Sequence, residues 1–200
     1  MSTLLYVHAD PKPQGMSRTI RISDAFVEAY KESHPDDTVI ELDLYKENIG
    51  FLNNESVLLH NVQPGEGRDH PQLRYAYQFL EADKVVIAAP FWNLSFPAII
   101  KAYLDYVTVS GITFCYTSQG PVGQCDGKKA VHIVTRGGAY SQEPLASLEL
   151  GDRYLKTLFK FLGFVEFTTI AVENMDRTST DVDAVLESAA RDARQKAREF

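Results

Sequence analysis

Cysteine is scarce in this chain: Cys115 and Cys125 are the only two in 200 residues. Secreted domains stapled by disulfides carry more, so free thiols are expected. Long apolar runs are also lacking, and nothing approaches the roughly 18 residues that a bilayer-spanning helix needs. Met1-Ser2-Thr3 leads directly into a strand-like stretch rather than a secretory signal, which gives a cytoplasmic expectation and no membrane partner. There is no Lys/Arg-rich stripe, and the formal net charge of -7 argues against nucleic acid as the main partner. Gly-x-Gly-x-x-Gly, Gly-x-x-x-x-Gly-Lys-Ser/Thr and Gly-x-Ser-x-Gly are all missing, so a dinucleotide fingerprint, a P-loop and a serine-hydrolase elbow are set aside.

What the sequence does contain is 44% apolar and 24% charged residues, enough to bury one core, and residues 1–200 are read as a single domain. Leu4-Leu5-Tyr6-Val7 is an apolar run without helical spacing, closed by Asp10-Pro11-Lys12-Pro13. A helix begins near Ser17, with Ile22, Phe26, Ala29 and Tyr30 on one face, and Pro35 stops it. Further strands are expected at 39–44, 84–90, 129–135 and 164–172, and further helices at 72–82, from Pro97 to before Gly111, at 145–162 and from Thr180 onward. Residues 45–71 read as irregular with one helical turn at 55–60, and 113–123 as a small extended excursion with a turn. Five mostly uniformly apolar strands alternating with five helices predict a doubly wound α/β fold: a five-stranded parallel sheet with helices on both faces. Ligands in such sheets bind beyond the C-terminal strand ends, where strand order reverses.

Three loops are expected at that edge. After the first strand, Ser17, Arg18 and Thr19 open a helix whose free N–H groups suit a monophosphate, although Ser17 also reads as a plain N-cap. After the third, Phe91, Trp92, Asn93 and Leu94 offer aromatic surface and an amide to a flat heteroaromatic ring, or alternatively a hydrophobic corner that fixes the next helix. After the fourth, Thr135, Arg136, Gly137 and Gly138 combine a cation with two glycines that let backbone N–H groups approach a ligand, with Arg136 meeting negative charge on a reduced ring; a flexible loop is the bland alternative. His8-Ala9-Asp10 and Asp69-His70 lack further ligands at suitable spacing, so no metal is expected. His132, inside an apolar strand, reads as a satisfied core histidine.

The ordered series Ala88-Ala89-Pro90-Phe91-Trp92-Asn93-Leu94-Ser95-Phe96-Pro97, Leu104-Asp105, Gly111-Ile112-Thr113-Phe114-Cys115-Tyr116-Thr117, Gly120-Pro121-Val122-Gly123 and Arg136-Gly137-Gly138-Ala139-Tyr140 resembles the FMN-dependent NADH:azoreductases, also described as quinone reductases. The resemblance runs over nearly the whole chain. It implies a flavodoxin-like fold with tightly but non-covalently bound FMN: Ser17, Arg18 and Thr19 at the phosphate and ribityl end, Phe91 to Leu94 along the isoalloxazine ring, and Thr135 to Gly138 at its polar edge. It also implies a homodimer with the flavin near the subunit interface. Asn93, Tyr116, Tyr140 and Phe161 are then assigned to the substrate pocket. Two departures from the family pattern are Phe91, where Met is frequent, and Asp10, where several members have Ser; a carboxylate beside a phosphate is repulsive, and Asp10 is left out of the binding set.

The implied chemistry is a hydride relay from NADH or NADPH through flavin N5 to quinones and azo compounds, ping-pong through one pocket, with no covalent nucleophile. Tyr116, Tyr140 or solvent supplies the proton. A flavodoxin-type FMN electron carrier serving a protein partner is the competing reading.

Overall fold

The computed structural model describes residues 1–13 and 15–200, so Gln14, inside the expected anion-binding loop, lies outside the described residues. Along the chain the elements run β1 (Thr3–His8), α1 (Arg18–Ser33), β2 (Thr38–Asp43), α2 (Arg74–Glu81), β3 (Lys84–Ala88), α3 (Ala98–Val107), β4 (Phe114–Thr117), β5 (Gly120–Gly123), β6 (Lys129–Thr135), α4 (Gly151–Leu162), β7 (Glu166–Val172) and α5 (Val182–Glu199), with 3₁₀ turns at Ser56–His60 and Ala146–Leu148. The main sheet is wholly parallel in the order β2-β1-β3-β6-β7. This is the flavodoxin-like order, and its reversal lies between β1 and β3.

Successive strand residues point to opposite faces, which explains why these strands are apolar throughout. Leu4 and Tyr6 of β1 join Ile22 and Phe26 of α1, Val131 of β6 and Ala193 of α5 in one core. Leu5 and Val7 join Phe79, Ile100, Tyr103, Leu155 and Phe159 of α2, α3 and α4 in the other. The helix after β1 therefore covers one face, and those after β2, β3 and β6 cover the opposite face. Chain leaving β1 diverges from chain leaving β3, and a crevice opens between them.

The excursion at 113–123 is a two-stranded antiparallel hairpin, with Cys115 paired to Val122. Cys115 and Cys125 are free. The helix expected over 145–162 is broken into a 3₁₀ turn and α4. Helical periodicity is overridden here by tertiary hydrogen bonding: the Leu150 N–H donates to Leu94 O at 3.0 Å, across to the loop after β3. Glu149 then restarts the helix by accepting the Asp152 and Arg153 N–H groups at 2.9 and 3.3 Å. No helix among the described residues is long and apolar enough to cross a membrane.

Candidate active site

The anion-accepting helix end is built first. Ser17, in extended conformation, caps α1 by accepting the Ile20 N–H on its Oγ at 3.1 Å. Its own proton goes to Asp10 Oδ2 at 2.6 Å, and Asp10 Oδ1 accepts the Lys12 N–H at 3.1 Å. Arg18 and Thr19, in the first turn, have backbone N–H groups with no acceptor inside the helix. The Thr19 side chain, by contrast, is fully buried and shares a 2.7 Å hydrogen bond with Thr135 Oγ1 at the end of β6. Thr19 is thus a strut joining two loops. Arg18 reaches outward to Asp176, at 2.8 Å.

The aromatic loop is tied to the same point, because the Phe91 N–H donates to Thr135 O at 3.2 Å. Trp92 and Ser95 exchange backbone hydrogen bonds at 2.8 and 3.0 Å, closing a tight turn over Asn93 (φ 50°) and Leu94 (φ 67°). Left-handed backbone is ordinary for Asn but costs Leu on the order of 1 kcal/mol, an expense that the Leu94 O to Leu150 N–H bond helps sustain. The turn leaves the Asn93 side chain exposed. Phe91 packs on Tyr140, ring centroids 4.5 Å apart, and Lys12 Nζ lies 6.0 Å from the Trp92 ring centroid.

The turn after β6 buries the cation that the sequence offered to a ligand edge. The Arg136 side chain is 4% exposed and is held by Glu149 at 3.2 Å and Glu173 at 3.0 Å. Two carboxylates already neutralise it, and its Cζ lies over the Phe91 ring, 5.7 Å from the centroid. Arg136 is a keystone that locks the loops after β6 and β7 together. Its backbone agrees: the Arg136 N–H donates to Val172 O at 2.8 Å, while Arg136 O, Gly137 O and Gly138 O accept from Met175, Asp176 and Asn174 at 3.1, 3.2 and 3.3 Å. A Cβ at 137 would meet the exposed Asp176 carboxylate, which would have to shift.

The loop after β7 was not foreseen from sequence. Glu173, Asn174 and Asp176 anchor the Arg136 turn, and Glu173 also accepts the Ser141 N–H and hydroxyl at 2.8 and 2.6 Å. A legible signal existed: two carboxylates, Glu173 and Asp176, within four residues of an apolar strand's end.

Tyr116 and Phe161 are brought together elsewhere, each against Phe114, at 5.4 and 5.2 Å between ring centroids. Tyr116 is 73% exposed. Val122 of the hairpin and Leu150 and Tyr154 at the start of α4 are likewise exposed apolar side chains. Behind the β1 loop, on its β2 side, lies a cavity of about 820 Å³ lined by Asp10, Lys12, Ser17, Glu41 and Tyr45 among others. It opens at the helix end rather than under Phe91 or Trp92.

His132 is satisfied at one nitrogen only. Its Nδ1–H donates to Asp152 at 3.0 Å, while Nε2 is buried without a partner among the described residues. Burial pushes the Asp152 carboxyl up, but hydrogen bonds from His132 and Thr169 (2.5 Å) and from Lys156 outweigh it and hold the group well below the usual carboxylate range. Among the described residues no group of three or more His, Cys, Asp or Glu side chains is arranged to hold a metal ion.

A family model described as the flavodoxin-like fold matches residues 2–197. The chain is 58% identical, over the full length of both sequences, to an FMN-dependent NADH:quinone oxidoreductase 2 of Clostridium acetobutylicum. Its fold superposes on a crystal structure of azoreductase from Bacillus anthracis str. Sterne with a TM-score of 0.88, 32% identity and full coverage of both chains. A crystal structure of an FMN-dependent NADH-azoreductase from Bacillus anthracis str. Ames Ancestor in complex with FMN gives a TM-score of 0.86 at 26% identity, covering all of this chain and 99% of that one.

Proposed function

Because the chain belongs to the flavodoxin-like family of FMN-dependent NADH:quinone oxidoreductases and azoreductases, we propose that it binds FMN at the loops after β1, β3 and β6 and transfers hydride from NADH or NADPH to quinones and azo compounds. The observation that carries this reading is Thr135: its hydroxyl bonds Thr19 and its carbonyl bonds Phe91, so an anion-accepting helix end, an aromatic loop and a glycine turn share one edge. Helix end and ring platform are the two unlike surfaces that a phosphorylated flat heterocycle requires.

FMN, when bound, supplies a two-electron carrier that takes hydride from nicotinamide and passes it to the acceptor. The chain's part is binding and orientation. Arg18 and Thr19 N–H groups with the Ser17 cap receive the phosphate end, Phe91, Trp92, Asn93 and Leu94 border the ring, and Gly137 and Gly138 bring backbone to its polar edge. Arg136 serves by fixing that turn in place, so that no rearrangement is needed when charge develops. Tyr140, whose ring lies tilted against Phe91 with centroids 4.5 Å apart, is a candidate proton donor.

The exposed surface of Tyr116, Val122, Leu150, Tyr154 and Phe161 supports a homodimer in which a second copy covers it. Tyr116 and Phe161 then line the acceptor pocket at the subunit junction. Nicotinamide and acceptor use that one pocket in turn. A quinone needs one such cycle, whereas cleaving an azo bond to two amines needs two. The chain works in the cytoplasm, where reduced nicotinamide is available.

The purified protein is expected to show a yellow flavin spectrum that bleaches with NADH under anaerobic conditions and recovers on adding a quinone. Double-reciprocal plots at several NADH concentrations run parallel if one pocket serves both halves. A colourless protein that takes up no added FMN overturns the reading, and intersecting lines overturn the shared pocket alone.

A further inference from the structure

The Ser17 hydroxyl has one proton, and it is spent on a carboxylate. Ser17 Oγ accepts the Ile20 N–H as the α1 cap and donates to Asp10 Oδ2 at 2.6 Å. Asp10 Oδ1 takes the Lys12 N–H, which closes the loop over its own helix end. Asp10 thereby occupies, with a negative charge, the donor that an incoming phosphate would use. Among the described residues no cation forms an ion pair with it. Arg18 is engaged by Asp176, Arg21 by Asp183 and Lys46 by Asp43, and Lys12 Nζ leans toward Trp92. The Asp10 charge is felt across the cavity: after burial, it is what pushes the Tyr45 phenol up.

Building on the FMN site proposed above, we infer that Asp10 is an internal competitor for the cofactor's phosphate, which holds the β1–α1 loop formed and at the same time lowers its affinity for FMN. The two effects rest on different properties of the side chain. Closing the loop needs one hydrogen bond at each end of the carboxyl group, Oδ1 to the Lys12 N–H and Oδ2 to the Ser17 hydroxyl; in asparagine the amide oxygen keeps the first and the amide N–H donates to Ser17 Oγ in place of the second. Opposing the phosphate needs the charge, since like charges within a few ångströms repel across a poorly solvated loop. Removing the charge while keeping the shape therefore strengthens binding of the phosphorylated flavin and leaves the dephosphorylated one unchanged. Asp10 in this account is a positioning and affinity-setting residue, not a catalytic one.

The test titrates flavin-stripped wild type, Asp10→Asn and Asp10→Ala with FMN and, separately, with riboflavin, following flavin fluorescence. Asp10→Asn is expected to bind FMN about tenfold more tightly than wild type, equivalent to about 1.4 kcal/mol. Its riboflavin affinity stays within twofold. The FMN difference narrows as salt is raised, since the opposing charge is partly screened. Asp10→Ala, which removes the loop closure as well, gains less than Asp10→Asn with FMN. If Asp10→Asn binds FMN no more tightly than wild type, or changes FMN and riboflavin affinities alike, Asp10 is a structural loop residue and the inference falls while the FMN site stands. Wild type that binds neither flavin overturns both.

Discussion

Replacing Arg136 by alanine should destabilise the fold far more than removing a surface cation would. The guanidinium is 4% exposed, and its partners Glu149 and Glu173 are themselves only 10% and 13% exposed, at 3.2 and 3.0 Å. Truncating one member of such a buried cluster typically costs about 3–5 kcal/mol, because the remaining charges stay desolvated and uncompensated. Here two carboxylates would be left facing each other. Part of the loss is offset, since Glu149 keeps the Asp152 and Arg153 N–H groups and Glu173 keeps Ser141. The expectation is accordingly at the lower end, about 3 kcal/mol. With a urea m-value of about 2 kcal/mol/M, the midpoint of an equilibrium unfolding curve moves down by about 1.5 M. Arg136→Met combined with Glu173→Gln recovers part of that loss by removing one of the stranded charges. A shift under about 0.5 M for Arg136→Ala would refute the keystone role.

Three other expectations follow from packing and linkage. Thr19→Val or Thr135→Val alone leaves one buried hydroxyl of the 2.7 Å pair unsatisfied and should cost about 1–3 kcal/mol, with the double variant costing less than the sum, as a double-mutant cycle in urea would show. Asp152 has its folded pKa held below the unfolded value of about 4, so its stabilisation is complete above that pH and lost as the pH falls toward the folded value. Asp152→Asn should therefore flatten the acid limb of a stability-against-pH curve, and an unchanged limb would contradict the His132–Asp152–Thr169 assignment. Phe159, fully buried against Phe79, Phe164 and Phe167, should cost about 3–5 kcal/mol on truncation to alanine by calorimetry or urea, whereas Phe161, two residues on and facing outward, should cost under 1 kcal/mol in the monomer.

The sheet was readable because parallel strands covered on both faces leave continuous apolar runs, as in Val85-Val86-Ile87-Ala88. Turn residues and strand ends likewise place Ser17, Phe91 and Thr135 on one edge in the sequence. What escaped the reading were interactions set by tertiary approach. Helical periodicity continued through Glu149 and Leu150, and nothing local announced that the Leu150 N–H would bond Leu94 in the loop after β3. Arg136 looked like a ligand cation because its two partners lie 13 and 37 residues along the chain. Leu94 carries no sign of left-handed backbone, since the turn is imposed by the Trp92–Ser95 hydrogen bonds rather than preferred by leucine. Asp10 read as an intruder beside a phosphate, and the Ser17 bond gives that intrusion a physical form.

Trp92 is the only tryptophan in the chain and sits in the aromatic loop, so its emission reports on the proposed flavin site without labelling. Titrating flavin-stripped protein with FMN should quench Trp92 fluorescence to an end point of one flavin per chain, in step with the loss of free-flavin emission. Flavin uptake that leaves Trp92 emission unchanged would put the cofactor elsewhere and contradict the site built on Ser17, Phe91 and Thr135.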